Sequence, residues 1–383
     1  MNIPHSSEVV IVGGGVIGTS IACQLSKQGM RDIVLFEKNL LGFAETSNCV
    51  GGIRQQFSTS VNIELSRESV RIFENFKEET DREVAFNQYG YLFLAANPSE
   101  FEQLKRNVAL QNSLRVNSRV VSVEEVAKIE KEINLDDIVG GTFCHEDGFS
   151  DPHEVTQAFA SFAREKGARL LEKTEVVGIS VEKEGRFKVR TPEAEISTPR
   201  VIVAAGYRAK EISSWVGVDV PIAPYRRQIF ATEVFPELPD TLPMVVDFHT
   251  GLYMRKESGG IVMGMVDKDE PSSTNTIVDW DYMLKMVECA VARVPVLEKA
   301  KVMRGWAGLY DITPDSHAIL GKTEVNGFYL AAGFSGHGFM HAPAVGKVIS
   351  EIVIKGKPET VDVAALNLER FKSGEVLTEG AVI

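Results

Sequence analysis

Residues 8–38 constrain this chain more than any other stretch. EVVIVGGG is a short β-branched run ending in glycines, GTSIACQLSKQG follows with apolar residues at helical spacing (Ile17, Ile21, Leu25), and DIVLFEK is a second such run. The pattern predicts strand, helix and strand, with Gly13, Gly15 and Gly18 forming GxGxxG at the first junction. The first glycine makes the turn, the second lets main chain approach a pyrophosphate, and the third lets helix pack on strand. Amides near Val16 and Ile17, at the helix start, would face the negative charge. Glu37 follows Gly18 by roughly 20 residues and ends the second strand, where a carboxylate accepts from both hydroxyls of an adenosine ribose. Together these features predict a dinucleotide site. They do not separate NAD from FAD.

The next segment does. An NAD enzyme would continue with alternating strands and helices, whereas LLGFAETSNCVGGIRQQF inserts a small-residue loop before a helix carrying Ser66, Val70 and Phe73. Thr46, Ser47, Gly51 and Gly52 imply backbone close to a flat or charged ligand. A second glycine cluster, AAGFSGHGFMHAPAVGK, repeats the theme near the other end of the chain, with Gly333, Gly336 and Gly338 around His337.

With 383 residues the chain is long for one core, and two domains or one elaborated domain are expected. A net charge of −12 argues against a nucleic-acid or anionic-membrane surface, since both need a basic patch. No apolar run reaches the ~18 residues of a membrane span, and MNIPHSSE leads into a strand without a signal-peptide core. Cys23, Cys49, Cys144 and Cys289 have no CxxC spacing, which suits a reducing compartment, and the seven histidines show no metal-ligand spacing. These features predict a cytoplasmic protein with no membrane insertion, no nucleic-acid partner and no metal.

Further along, EVAFNQYGYLFLAA (83–96) reads as strand, turn and strand. Helices are predicted from Pro98, after Ser122 (a Ser-x-x-Glu cap), from Pro152, over 279–293 and from near His341. Strands are predicted at 169–171, 175–182, in VIVAAG, and repeatedly between 219 and 266. Nucleotide-type segments (1–82, 150–215, 300–372) thus alternate with strand-rich ones (83–149, 216–299), ahead of a tail at 373–383. The prediction is an α/β (α+β) chain: a discontinuous nucleotide domain with an inserted, mainly antiparallel-sheet substrate domain.

GGGVIG with Glu37-Lys38, GGIRQQF, VIVAAG, WAGLYDITPD and AAGFSGHGF together resemble the D-amino-acid-oxidase-type FAD-dependent oxidoreductases, over nearly the whole chain. The likeness is strongest to the β subunits of heteromeric sarcosine oxidase and dye-linked L-proline dehydrogenase. It implies a Rossmann-like domain binding extended FAD without a covalent link. Gly13 to Gly18, Glu37 and Lys38 would hold the ADP half, Val176 or Val177 the adenine, and Ala204, Ala205 and Gly206 the pyrophosphate. Thr46, Ser47, Asn48 and Gly51 to Ile53 would line the phosphates and ring. Gly308, Gly333, Phe334, Gly336, His337, Gly338, Phe339 and Met340 would complete the flavin site.

The resemblance further implies a small amino-acid substrate such as proline, sarcosine or glycine, oxidised at its C–N bond. Arg54 matches a substrate-facing arginine; Arg255 is the second candidate for the carboxylate, and Tyr253, Tyr310 and His337 would cap the pocket. Several departures matter. Gly308 stands where a flavin-tethering cysteine is found in monomeric sarcosine oxidase, and Met340 stands in place of a carboxylate-binding lysine. Pro152, beside His153, stands at the FMN-linking histidine, which leaves FMN at a subunit interface open. Val262 or Met263 stands where oxidases place an oxygen-activating lysine, a feature that favours a dehydrogenase working within a larger assembly with an α subunit or electron-transfer partner. The rival readings are a free-standing peroxide-forming oxidase and a noncatalytic FAD-binding assembly factor.

Overall fold

The computed structural model describes residues 3–381. Its first sheet has six strands in the order Ile319–Lys322, Phe328–Ala332, Val201–Val203, Val9–Val12, Ile33–Phe36 and Arg169–Leu171. All neighbours pair in parallel except the first two. Buried parallel strands read as unbroken apolar runs, and VVIV and IVLF are buried at every position. Alternation along them divides two cores. Val9, Ile11, Ile33 and Leu35 face the helices Val16–Lys27, Pro152–Glu165 and Gly338–Lys355, while Val10, Val12, Val34 and Phe36 face the three-stranded antiparallel sheet of residues 178–198. The helices Val16–Lys27 and Gly338–Lys355 cross closely: Ser20 Oγ donates to the Ala342 carbonyl at 2.8 Å, and a Cβ at Gly346 would lie 2.2 Å from Ser20 Oγ.

The second sheet has eight strands, ordered Val302–Ile312, Ala223–Thr232, Gly260–Met265, Leu252–Glu257, Met244–Asp247, Tyr91–Ala95, Gly140–Cys144 and Arg119–Val121. Only Met244–Asp247 and Tyr91–Ala95 run parallel. One face, with Leu92, Leu94, Met254 and Met263, packs on the helix Trp280–Arg293; the other presents Tyr91, Phe93, Met244 and Tyr253. The fold is a mixed α/β architecture, as the residue patterns predict.

Four local expectations change. Residues 83–90 form no strand: Asn87 makes one isolated bridge to Phe149, and Gly90 turns the chain at φ +86°. The strand expected over 175–182 covers Gly178–Val181, and the helix expected from His341 begins at Gly338. The strand Val302–Ile312 pairs along its length with Ala223–Thr232, so it adds to the second sheet although the 300–372 segment was grouped with the nucleotide-type ones.

Among the described residues no helix is long and apolar enough to cross a membrane, and no group of His, Cys, Asp or Glu is arranged to hold a metal. All four cysteines are free.

Candidate active site

Where the two sheets meet, a cleft of about 440 Å³ runs from the carboxyl ends of the parallel strands to the exposed face of the antiparallel sheet. One end is main chain. Gly13 adopts φ +112°, and a Cβ there would stand 2.2 Å from the Ala204 carbonyl oxygen; a Cβ at Gly18 would stand 1.9 Å from the Gly13 oxygen. Gly18 lets the helix touch the end of its own strand, and Gly13 lets the turn pass the end of the neighbouring strand Val201–Val203. Gly15 N-caps the helix Val16–Lys27 with no side-chain cap, so the helix start opens on the cleft. Val16 N–H is held by Thr46 Oγ1 at 3.1 Å. Glu37 accepts the N–H groups of Gly14 (2.8 Å) and Asn39 (2.7 Å), which fixes its carboxylate at the strand end.

The opposite end is side chain. Three tyrosines, each seated on a glycine, project from the sheet and from its edge strand. A Cβ at Gly52 would meet the Tyr91 hydroxyl at 2.0 Å, one at Gly264 the Tyr253 hydroxyl at 2.3 Å, and one at Gly336 the Tyr310 ring at 2.3 Å. Burial raises all three phenols above their ordinary range, so they stay protonated hydrogen-bond donors. Arg54 is buried and stacked 3.8 Å over the Phe57 ring; its terminal nitrogens donate to the carbonyls of Gln56 and Ala381, both at 2.5 Å. His337 Nε2 lies 3.4 Å from Arg54 Nη2. Burial, then the Arg54 charge, push this imidazole well below its usual range, so it is neutral.

A sequence profile described as FAD dependent oxidoreductase, DAO, matches residues 8–352. The chain belongs to the DAO family. The crystal structure of L-proline dehydrogenase from P. horikoshii superposes with a TM-score of 0.92 at 34% identity, covering 98% of this chain and 100% of that one. FAD-dependent oxidoreductase domain-containing protein 1 of Xenopus laevis is 30% identical over 99% of this chain and 85% of its own. Mitochondrial dimethylglycine dehydrogenase of Rattus norvegicus is 30% identical over 95% of this chain, but the match spans only 45% of that protein. The chain therefore covers less than half the length of this relative.

The DAO-family chain brings most of the expected residues to one place. Gly13, Gly15, Val16, Ile17, Glu37, Lys38, Thr46, Asn48, Gly51, Gly52, Val176 and Ala204 to Gly206 line the cleft, as do Arg54, Tyr253, Gly308, Tyr310, Phe334 and Gly336 to Met340. Gly18, Ser47, Ile53, Val177, Gly333 and Arg255 do not. Gly18 is buried behind the turn it permits. Ser47 bonds the Ala44 carbonyl, Ile53 belongs to the core, and Val177 points to solvent. Gly333 is a glycine because Thr313 occupies its Cβ space, at 2.5 Å, rather than because a ligand does. Arg255 clasps the Val50 carbonyl through Nε (3.0 Å) and Nη2 (2.6 Å) and the Lys256 carbonyl through Nη1 (2.7 Å), and pairs with Glu257. It braces the loop from outside the cleft.

Other lining residues escaped the sequence reading: Glu45, Tyr91, Arg227, Met244, Thr274, Thr276 and Asp311. Tyr91 alternates with Leu92 in YLFL, a period-2 signal that could have placed it. Arg227 reaches the cleft only through long-range strand pairing, and the two threonines lie on a loop that Ser273 N–H ties to the Pro224 carbonyl at 3.0 Å. Asp311 accepts the Gly333 N–H at 2.8 Å, and burial pushes its carboxyl up to about 6. Asp315 accepts the His317 N–H and forms a buried bidentate ion pair with Arg370 at 2.8 and 3.0 Å.

The cleft fits an extended dinucleotide on its own geometry: a helix start whose N-cap is glycine, a glycine turn that tolerates no Cβ, and a fixed carboxylate at the strand end. A second helix, Gly338–Lys355, begins on the cleft and turns its positive end inward.

Proposed function

We propose that this chain oxidises the C–N bond of a small amino acid or N-methyl amino acid of the proline, sarcosine or glycine type. Bound FAD would supply the two-electron acceptor, taking a hydride at N5 from the carbon beside the amine. Gly13 to Ile17, Glu37, Thr46, Val176 and Ala204 to Gly206 would hold the ADP half. The chain's remaining task is to bind, orient and exclude water. The substrate end suits a carboxylate: protonated tyrosines donate, and buried guanidinium charge attracts. One observation carries this reading. The cationic side chains Arg54 and Arg227 line the sheet end of the cleft with no carboxylate within ion-pair distance among the described residues, so the site is built for an anion it does not itself contain.

Attachment is noncovalent in this proposal. Gly308 offers no nucleophile, and burial pushes the Cys49 thiol up to about 11. Lys38, at the dinucleotide end, is the only lysine among the lining residues described, so none stands at the sheet end to assist oxygen. That favours a dehydrogenase that passes electrons to a partner within a hetero-oligomer. FMN is assigned only to an interface with such a partner, near the exposed His153.

The test is an anaerobic absorbance scan of the yellow protein against proline, sarcosine, glycine and their relatives. Bleaching by one class, with turnover to dyes faster than to oxygen, is the expected result. A flavin that no amine bleaches would end the reading.

A further inference from the structure

Arg226 and Arg227 are neighbours on the strand Ala223–Thr232, and neighbours on a strand point to opposite faces. Arg226 is taken up by Glu270, at 3.1 Å from Nε and 2.9 Å from Nη2, and by the Ile277 carbonyl. Arg227 turns the other way, into the cleft, alongside Ile229.

Its guanidinium lies 5.3 Å from the centroid of the Tyr310 ring, and its charge bears on the phenols of both Tyr253 and Tyr310. Nη1 donates to the Arg226 carbonyl at 2.9 Å. Nε is buried and has no partner, and Nη2 bonds none of the described residues. A buried, charged N–H without an acceptor is strongly unfavourable and rare in folded proteins.

Three arginines stand at or beside the sheet end of the cleft, and they differ in what they have left to offer. Arg255 has all three nitrogens on main-chain carbonyls. Arg54 has both terminal nitrogens on carbonyls and its face on Phe57. Arg227 alone keeps the Nε–Nη2 edge open, and that edge presents two parallel N–H groups matching a carboxylate. Thr274 and Thr276 also line the cleft, carried by an exposed loop that follows the Arg226–Glu270 pair.

We propose that Arg227 is the primary anchor of the substrate carboxylate, gripping it bidentately through Nε and Nη2, with Tyr310 and Tyr253 beside it and Arg54 contributing positive charge from behind. Only the claim that the bound acid is also an amine to be oxidised rests on the functional reading above.

Carboxylate binding to the FAD-loaded protein tests this, read from the flavin absorbance change. The probes are 2-furoate and its neutral carboxamide. The wild type should prefer the acid. Arg227→Met should weaken the acid by on the order of 100-fold, leave the amide unchanged and retain FAD. Arg227→Lys should recover only part of the loss, because an ammonium lacks the fork. Arg54→Met should weaken the acid by less than Arg227→Met does. Three results would overturn the proposal: an unchanged acid Kd in both Arg227 variants, a larger loss in Arg54→Met, or a wild type indifferent between acid and amide. Arg227-dependent acid binding in a protein whose flavin no amine bleaches would sink the oxidation reading and leave this anchor standing.

Discussion

The two ends of the cleft are built from different material. The dinucleotide end is made of glycine turns, a helix start and strand ends, so a ligand there would meet main chain. The sheet end is made of tyrosine and arginine side chains standing on a twisted antiparallel surface. Main-chain recognition depends on shape that few substitutions preserve, and it can serve any ligand with the same diphosphate. Side-chain recognition can be exchanged one residue at a time. The contrast predicts that changes at the first end abolish cofactor and fold together, whereas changes at the second alter substrate affinity and leave the fold intact.

The largest effect should follow Gly18→Val. Its Cβ would enter the Gly13 carbonyl at 1.9 Å and force the helix Val16–Lys27 off its strand, for a loss of about 3–5 kcal/mol. Thermal unfolding and FAD content should fall together. A variant with wild-type Tm and full FAD would break the comparison at its stronger end.

An intermediate effect should come from Glu45, the acid that lines the dinucleotide end. Burial pushes it from 4.5 to about 7. A carboxyl raised in the folded state adds stability that is complete below about 4.5 and lost as pH climbs through about 7. Ionisation would also repel a diphosphate, so FAD affinity should weaken by roughly tenfold as pH rises through that range. Glu45→Gln should flatten both profiles, measured by flavin fluorescence titration and by melting from pH 5 to 8. An equally steep FAD profile in the variant would exclude Glu45 as the source.

The smallest effect belongs to Tyr253→Phe. Removing one neutral hydroxyl donor should cost about 1 kcal/mol of carboxylate binding, seen as a several-fold rise in KM with Tm and FAD content unchanged. A fall in FAD content would instead mean that the tyrosine wall carries the cofactor, which would blur the distinction between the two ends.

Legibility in the sequence follows the same divide. The dinucleotide end is local: the glycines, the helix start and Glu37 lie within one strand–helix–strand unit, and they form there as their spacing predicts. The sheet end gathers residues from five separated strands, whose register no local pattern states. Arg227 went unnoticed because nothing in PYRRQ says which arginine faces inward. Arg255 was read onto the correct face, two residues from Tyr253, but it lies too far along the strand and braces Val50 instead. EVAFNQYG alternates like a strand, yet Gly90 and the single Asn87 bridge show a connector lying against Phe149. The glycines of GFSGHG were read as ligand clearance. Gly336 answers to Tyr310 and Gly333 to Thr313, because a glycine pattern records that something comes close without recording what.

The most direct measurement of the proposed separation is anaerobic flavin reduction by the best amino-acid substrate, followed alongside FAD content in wild type and Arg227→Met. Full FAD retention with reduction at subsaturating substrate slowed on the order of 100-fold is the result this account predicts. Loss of FAD in proportion to loss of reduction, or reduction at the wild-type rate, would contradict it.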